Sequence, residues 1–289
     1  MNNDEKFELL NRILSKEKLK RKMKVYKFIA LNDKSSSDIT NSKELINKII
    51  IGNQIQYTSI KCLNDPDEYS VLLMHNLDEI FNDKSISIMP EYLLNGLTNV
   101  IRLNDISQHI YSTSFAETND SVLMWSHYAN CHRGFCVEYE FDLSDCINNT
   151  SDYTLIYSPI IYIPHPAIIP ELMEKDIEDI IQSHGIDILR LAFFKNIPWQ
   201  YENEWRQLYI PKRAADNKNG KCDVSVNHGF KVSNVYAGIN MNRHLIKYLS
   251  DCCKSIKLDL QQMKQDYSKD KINYVSKRID KRTIAKIVE

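Results

Sequence analysis

Hydrophobic and polar positions along the chain switch between a helical and a strand period. Phe7, Leu10, Ile13 and Leu14 recur at helical spacing, which predicts a helix over residues 4–23. It runs into a basic stretch from Lys16 to Lys27, read as a solvated helix end, the alternative being a patch for nucleic acid or a partner. Residues 25–30 read as a short strand, 32–42 as a polar loop, and 43–51 as a helix stopped by Gly52 as its C-terminal cap. Residues 54–59 alternate as a strand does. Asn64, Asp65, Pro66 and Asp67 then make a turn, with Pro66 pre-setting φ. Residues 70–105 look mostly helical, interrupted at Pro90.

The next stretch is the most informative. Residues 109–115 form a strand that contains Ser112, Thr113 and Ser114. Asp120 suits the N-cap of a helix carrying Val122, Trp125, His127 and Tyr128, which Gly134 ends. Over 135–141, Phe135, Val137, Tyr139 and Phe141 fall on one face of a strand and Cys136, Glu138 and Glu140 on the other. Further strands are predicted at 153–163, 200–210, 222–226, 232–237 and 256–260, and helices at 171–195 and 241–254. No repeat or linker breaks this order. The expected fold is α+β: a single domain with a mixed or antiparallel sheet core, in the form of two small sheets making a cleft as one variant, flanked by helices. The boundaries read as a helical extension over 1–24, the α+β domain over 25–262, and a charged tail over 263–289.

Composition narrows the function classes. The 289 residues include only 7 glycines, none spaced for a dinucleotide fingerprint or a P-loop, so glycine-rich phosphate cradles are excluded. With 38 acidic and 37 basic side chains the net charge is -1, which provides no global attraction for nucleic acid. The 7 cysteines are odd in number and lack a C-x-x-C pair, and no apolar run reaches a membrane-spanning length. They read as reduced thiols in a cytoplasmic protein with no membrane partner.

Two constellations carry candidate chemistry. In the first, Glu202, Glu204 and Arg206 share one strand face, with Tyr201, Asn203 and Trp205 on the opposite side. Adjacent carboxylates repel, so one holds a raised pKa unless a cation compensates, and Arg206 is placed to do so. Such a pair can bind sugar hydroxyls and stabilise an oxocarbenium-like centre; a solvated face with a cross-strand ion pair is the alternative. In the second, His127, Cys131, His132 and Cys136 are ligand types whose spacing matches no standard zinc finger. No metal is expected there, and His127 reads as a buried, hydrogen-bonded side chain or as a ribose or phosphate donor. No local signature singles out one cysteine as a nucleophile.

Three blocks together resemble a bacterial family known as domain of unknown function 2971. They are Asn64, Asp65 and Pro66; the run from Ser114 to Glu117 continuing through Met124, Trp125, His127, Tyr128, His132 and Gly134 to Tyr139; and Trp199 with Tyr201 to Arg206, followed by Tyr236 to Ile239. The resemblance covers about residues 25–262. Where family members commonly show an arginine on the first strand, this chain has Tyr26, Lys27, Phe28 and Ile29, so Lys27 or Arg102 would have to supply that cation. An aromatic is also usual where Asp67 stands. The family name implies no activity.

A second, shorter resemblance, of Glu202-x-Glu204 and the Ser112, Thr113, Ser114 strand, is to arginine-type ADP-ribosyltransferases. It implies NAD as co-substrate in a cleft between two sheets, held by a cation, serines and aromatic side chains. Glu204 would stabilise the cation formed as nicotinamide departs and Glu202 would orient the acceptor, a protein or a nucleic acid. Ser112, Ser114, Lys27, Arg206, Trp125, Tyr201, Asn64 and Asp65 would support the substrate, with His127 or Tyr128 against ribose or base. Such a protein would be a toxin or phage-defence effector. The other expectations are a non-catalytic nucleotide- or partner-binding module built on the same residues, and a metal-dependent hydrolase or nuclease using Asp65, His127, His132 and the glutamates.

Overall fold

The computed structural model describes residues 1–15, 17, 19, 21–63, 110–164, 192–212, 221–225, 229–266 and 273–279. The turn at Asn64 and Asp65, the helices expected over 70–105 and most of the one expected over 171–195 lie outside the described residues.

Strands β1 (Lys22–Ile29), β2 (Gln54–Ser59), β3 (Tyr111–Ala116), β4 (Phe135–Asp142), β5 (Ile147–Asn149), β6 (Tyr153–Pro159), β9 (Glu204–Pro211), β10 (Lys221–Ser225), β11 (Lys231–Ala237), β12 (Leu260–Asp266) and β13 (Asn273–Arg278) form one large mixed sheet. Strands β7 (Ile161–Ile163) and β8 (Phe194–Asn196) make a small parallel pair. With the four helices of the described residues packed on it, the sheet makes one α+β domain, the architecture that the alternation of periods predicts.

The large sheet is nearly split in two. One half runs β13-β12-β11-β4-β1 and the other β3-β9-β6-β5, with β2 beside β3 and β10 beside β2. The halves are joined where β1 meets β3, and the pairing there is confined to Tyr26 and Ala116. β1 pairs with β4 along its whole length, Lys22 opposite Asp142 and Lys24 opposite Glu140. That pairing takes up part of the basic stretch. The helix expected to run to residue 23 stops at Leu14, and Lys22 and Lys24 lie in a strand facing acids, with Lys24 Nζ 2.9 Å from Glu138.

One face of the sheet carries the main core. Phe135, Val137, Tyr139 and Phe141 all enter the main core, as their alternation predicted. α2 (Ser36–Ile46), its π-helical continuation Asn47–Ile51 and α4 (Arg243–Ser255) cover this face through Ile46, Ile50, Leu245 and Leu249. α2 overturns the polar loop expected over 32–42: the Ser35 side chain accepts from the Asp38 N–H and caps a helix among polar residues. Gly52 is the C-cap as expected, its N–H donating to the Asn47 carbonyl at 2.8 Å, although the left-handed residue is Asn53 (φ 49°).

The opposite face is covered in two places. α3 (Val122–Tyr128) packs Trp125 against Cys136 and Tyr236, and its N-cap is Ser121 rather than Asp120. α1 (Asn3–Leu14) closes a capping box between Asn2 and Glu5 and packs Leu10 and Leu14 against Ile156, Ile160 and Leu208. The N-terminal segment is thus joined to the core rather than appended to it. At the other end β13 pairs with β12 over Asn273 to Arg278, so the expected charged tail adds an edge strand. Among the described residues, this face of the split sheet is uncovered between α3 and the pair of α1 with β7 and β8.

Candidate functional site

A cavity of about 370 Å³ lies in that opening. β3 contributes Ser112 and Ser114 to its wall, β9 contributes Glu204 and Arg206, and β1 contributes Lys27. Register explains the grouping. Ser114 stands directly opposite Arg206, and Ala116 opposite Glu204, across the antiparallel β3–β9 pair. Residues two apart share a face, so Glu204 and Arg206 project together, and Arg206 Nε donates to Glu204 Oε1 at 2.8 Å. The Ser114 hydroxyl donates to the same oxygen at 2.5 Å.

Glu202 reaches the site by another route. The strand expected over 200–210 begins only at Glu204. Residues Ile197–Glu202 form a 3₁₀ turn, and Asn203 takes left-handed φ and ψ of 42° and 54°, a conformation asparagine tolerates better than most residues. That single reversal swings two carboxylates onto one ammonium: Lys195 Nζ lies 2.7 Å from Glu202 Oε2 and 3.1 Å from Glu204 Oε2. Lys195 also lies over the Trp199 ring, 4.8 Å from its centroid. The Tyr128 hydroxyl donates to Glu202 Oε1, and the Glu204 N–H donates to the Tyr162 hydroxyl at 2.8 Å.

These environments push the two acids apart. Burial raises Glu204, but Arg206 and Lys195 outweigh it and hold the carboxyl at about 2. Glu202 is raised: burial dominates, Lys195 opposes it, and the charge of Glu204 adds to it. Lys27 sits half-buried in the split, donating to Thr113 Oγ1 at 2.6 Å and to the Ser114 carbonyl at 3.1 Å. Burial pulls its ammonium down to about 8, against a smaller upward pull from Glu204. The Ser112 hydroxyl is buried with no hydrogen-bond partner among the described residues.

The cavity therefore gathers Glu202, Glu204, Arg206, Ser112, Ser114, Lys27 and Tyr128 from the residues the sequence singled out. Trp125, His127 and Tyr201 do not line it. Trp125 is fully buried, its Nε1 donating to the Asn119 carbonyl at 2.6 Å, with Phe28 edge-on and His132 stacked. His127 is exposed rather than buried, beside the Tyr201 ring at 6.1 Å. Asn64 and Asp65 lie outside the described residues. Lys195 is the residue sequence reasoning missed. The pattern places it at the end of the helix expected over 171–195, and its signal in the sequence is the demand of two adjacent acids for a cation. Among the described residues no three His, Cys, Asp or Glu side chains converge to hold a metal ion.

The fold and site define an α+β protein with a buried, charge-compensated carboxylate pair in the opening of a split sheet. Residues 124–207 match the model of a family described as Protein of unknown function (DUF2971), and the chain resembles that family over this stretch, which includes Tyr128, Lys195, Glu202, Glu204 and Arg206. No curated protein and no solved structure matches the chain. Among the described residues no helix is long and apolar enough to cross a membrane.

Proposed function

We propose that this protein cleaves the N-glycosidic bond of NAD and transfers the ADP-ribosyl group, in the manner of an ADP-ribosyltransferase. The observation that carries the reading is the divergence of two carboxylates held on one lysine, Glu204 ionised and Glu202 raised, in a cavity between two half-sheets. Paired acids pushed apart in this way divide the stabilising and proton-transferring roles. The glycosidic electron pair leaves with the nicotinamide nitrogen, and Glu204 stabilises the positive charge developing on the ribose. Glu202 orients the acceptor and takes its proton as the new bond forms. Ser112 offers a hydroxyl to a ribose oxygen, and Lys27 supplies the cation missing from the first strand. The acceptor is a protein or a nucleic acid, a cytoplasmic setting suits the free thiols, and such transfer would suit a toxin or phage-defence effector.

The test is NAD consumption by the purified protein beside Glu204→Gln. Losing an electrostatic stabiliser of the transition state lowers turnover by about 10²–10³-fold. Equal turnover in the two proteins removes Glu204 from this role. One observation favours a second reading. Both Glu204 oxygens already accept hydrogen bonds, as in a cluster that only shapes a nucleotide-binding cavity. A ligand-dependent rise in melting temperature with no turnover by the wild type would select that reading.

A further inference from the structure

A second cavity, of about 460 Å³, lies on the core face of the sheet, between β1, β2 and α2. We infer that it binds a small carboxylate with an apolar body, the carboxylate seated on Lys27 and Tyr139 and the body against Leu45, Ile49 and Ile55. This goes beyond the reading under Proposed function and needs no turnover of NAD.

Faces and burial carry it. Val25 and Ile29 of β1 both belong to the main core, and residues two apart share a face, so Lys27 between them projects to that side. Ile29, Ile55 and Tyr139, all of the main core, line the cavity with it. An ammonium among such neighbours is costly unless paired. Lys27 has three donors, of which Thr113 Oγ1 at 2.6 Å and the Ser114 carbonyl at 3.1 Å, both neutral, take two. Among the described residues no carboxylate bonds to it, and only the more distant charge of Glu204 acts on it. Tyr139 stands diagonally from Lys27 across the β1–β4 pair, since Val25 faces Tyr139 and Lys27 faces Val137, within reach of two long side chains. Tyr139 is fully buried, and its hydroxyl has no hydrogen-bond partner among the described residues, which is costly in its turn. A spare N–H and a spare O–H on one wall suit the two oxygens of a carboxylate. Leu45 and Ile49, half-exposed on α2, complete with Ile55 an apolar wall for the rest of the ligand.

The full chain is titrated with butyrate, hexanoate and octanoate by isothermal titration calorimetry, beside octanol and inorganic phosphate. Affinity should rise about fourfold per methylene added to the carboxylate. Octanol, which lacks the charge, and phosphate, which lacks the body, should bind at least about tenfold more weakly than octanoate. The variants are Lys27→Met, Tyr139→Phe and Ile49→Trp, the last changing a residue that the first cavity lacks. Lys27→Met should bind octanoate and octanol alike. Tyr139→Phe should bind octanoate about tenfold more weakly, the worth of one hydrogen bond to a charged group. It keeps the ring that packs on Phe115 and Phe230, so it should fold and melt at or above the wild-type temperature without ligand. Ile49→Trp, which fills the cavity, should bind none of the carboxylates. No binding of octanoate to wild type would overturn the inference, and so would an affinity independent of chain length. Octanoate affinity within about twofold of wild type in all three variants would also overturn it.

Discussion

Arg206 Nε donates to Glu204 Oε1 at 2.8 Å, with both side chains only 2% exposed. Their position two apart on one strand brings them together, and neither could be buried at this cost alone. Arg206 also donates to the Ala192 carbonyl at 2.7 Å, which ties β9 to the chain leading into β8. Arg206→Met should therefore destabilise the fold by about 3–5 kcal/mol, the cost of breaking a buried pair from one side. Urea denaturation at neutral pH measures this, and a loss below about 1 kcal/mol would contradict the burial argument.

Acid should act through Glu204. Its folded pKa, about 2, lies below its ordinary value of 4.5, so the unfolded chain binds the proton more readily. The stability this residue contributes is full above about 4.5 and is lost as pH falls through about 2. Glu202, raised on folding, contributes with the opposite sign. The difference in stability between wild type and Glu204→Gln, followed by circular dichroism melts, should shrink as pH falls across that window. A constant difference would mean the carboxyl is not depressed.

Lys27 should act in the alkaline range. Its folded pKa, about 8, lies below its ordinary 10.5, so folding disfavours the charged form. Its cost is full below about 8 and disappears as pH rises to about 10.5. Wild-type stability should gain a rising component between those values that Lys27→Met lacks. Phosphate-bearing ligands should bind wild type more weakly above about pH 8, where the free protein begins to lose the cation, and Lys27→Arg should remove that pH dependence.

Gly134 should resist substitution for a packing reason. A Cβ there would stand 1.9 Å from the Ile29 carbonyl oxygen, a backbone atom of β1. Gly134→Ala should cost about 1–3 kcal/mol, as overpacking does, read as a lower melting temperature. An unchanged melting temperature would show that β1 can shift away from β4 at this point.

The sequence expected Gly134 to be a helix cap, but the left-handed residues are Asn130, Cys131 and His132. A glycine that permits a turn and one that permits a close approach look alike in a sequence. Only the neighbouring strand tells them apart. The helix expected over 43–51 is present as the end of α2 and its continuation, but the start of α2 escapes the pattern because polar Ser36 to Ser42 carry little apolar period, and its stability comes from Ile46 and the core beneath. The carboxylate pair was legible, though for a partly mistaken reason. Glu204 and Arg206 do alternate on a strand, whereas Glu202 arrives through the reversal at Asn203.

By itself, then, the sequence determined the α+β class, the core face of β4, and the serine and glutamate blocks as candidate chemistry. Each of these depends on local periodicity or residue type, which a chain carries wherever it folds. The tertiary structure decided that β1 and β3 part beyond Tyr26 and Ala116, that Lys195 comes from outside both motifs, and that Trp125 and His127 stay out of the cavity. Those outcomes depend on strand order and on contacts between residues far apart in the chain. No local pattern encodes them, because they are set by which surfaces can be buried together.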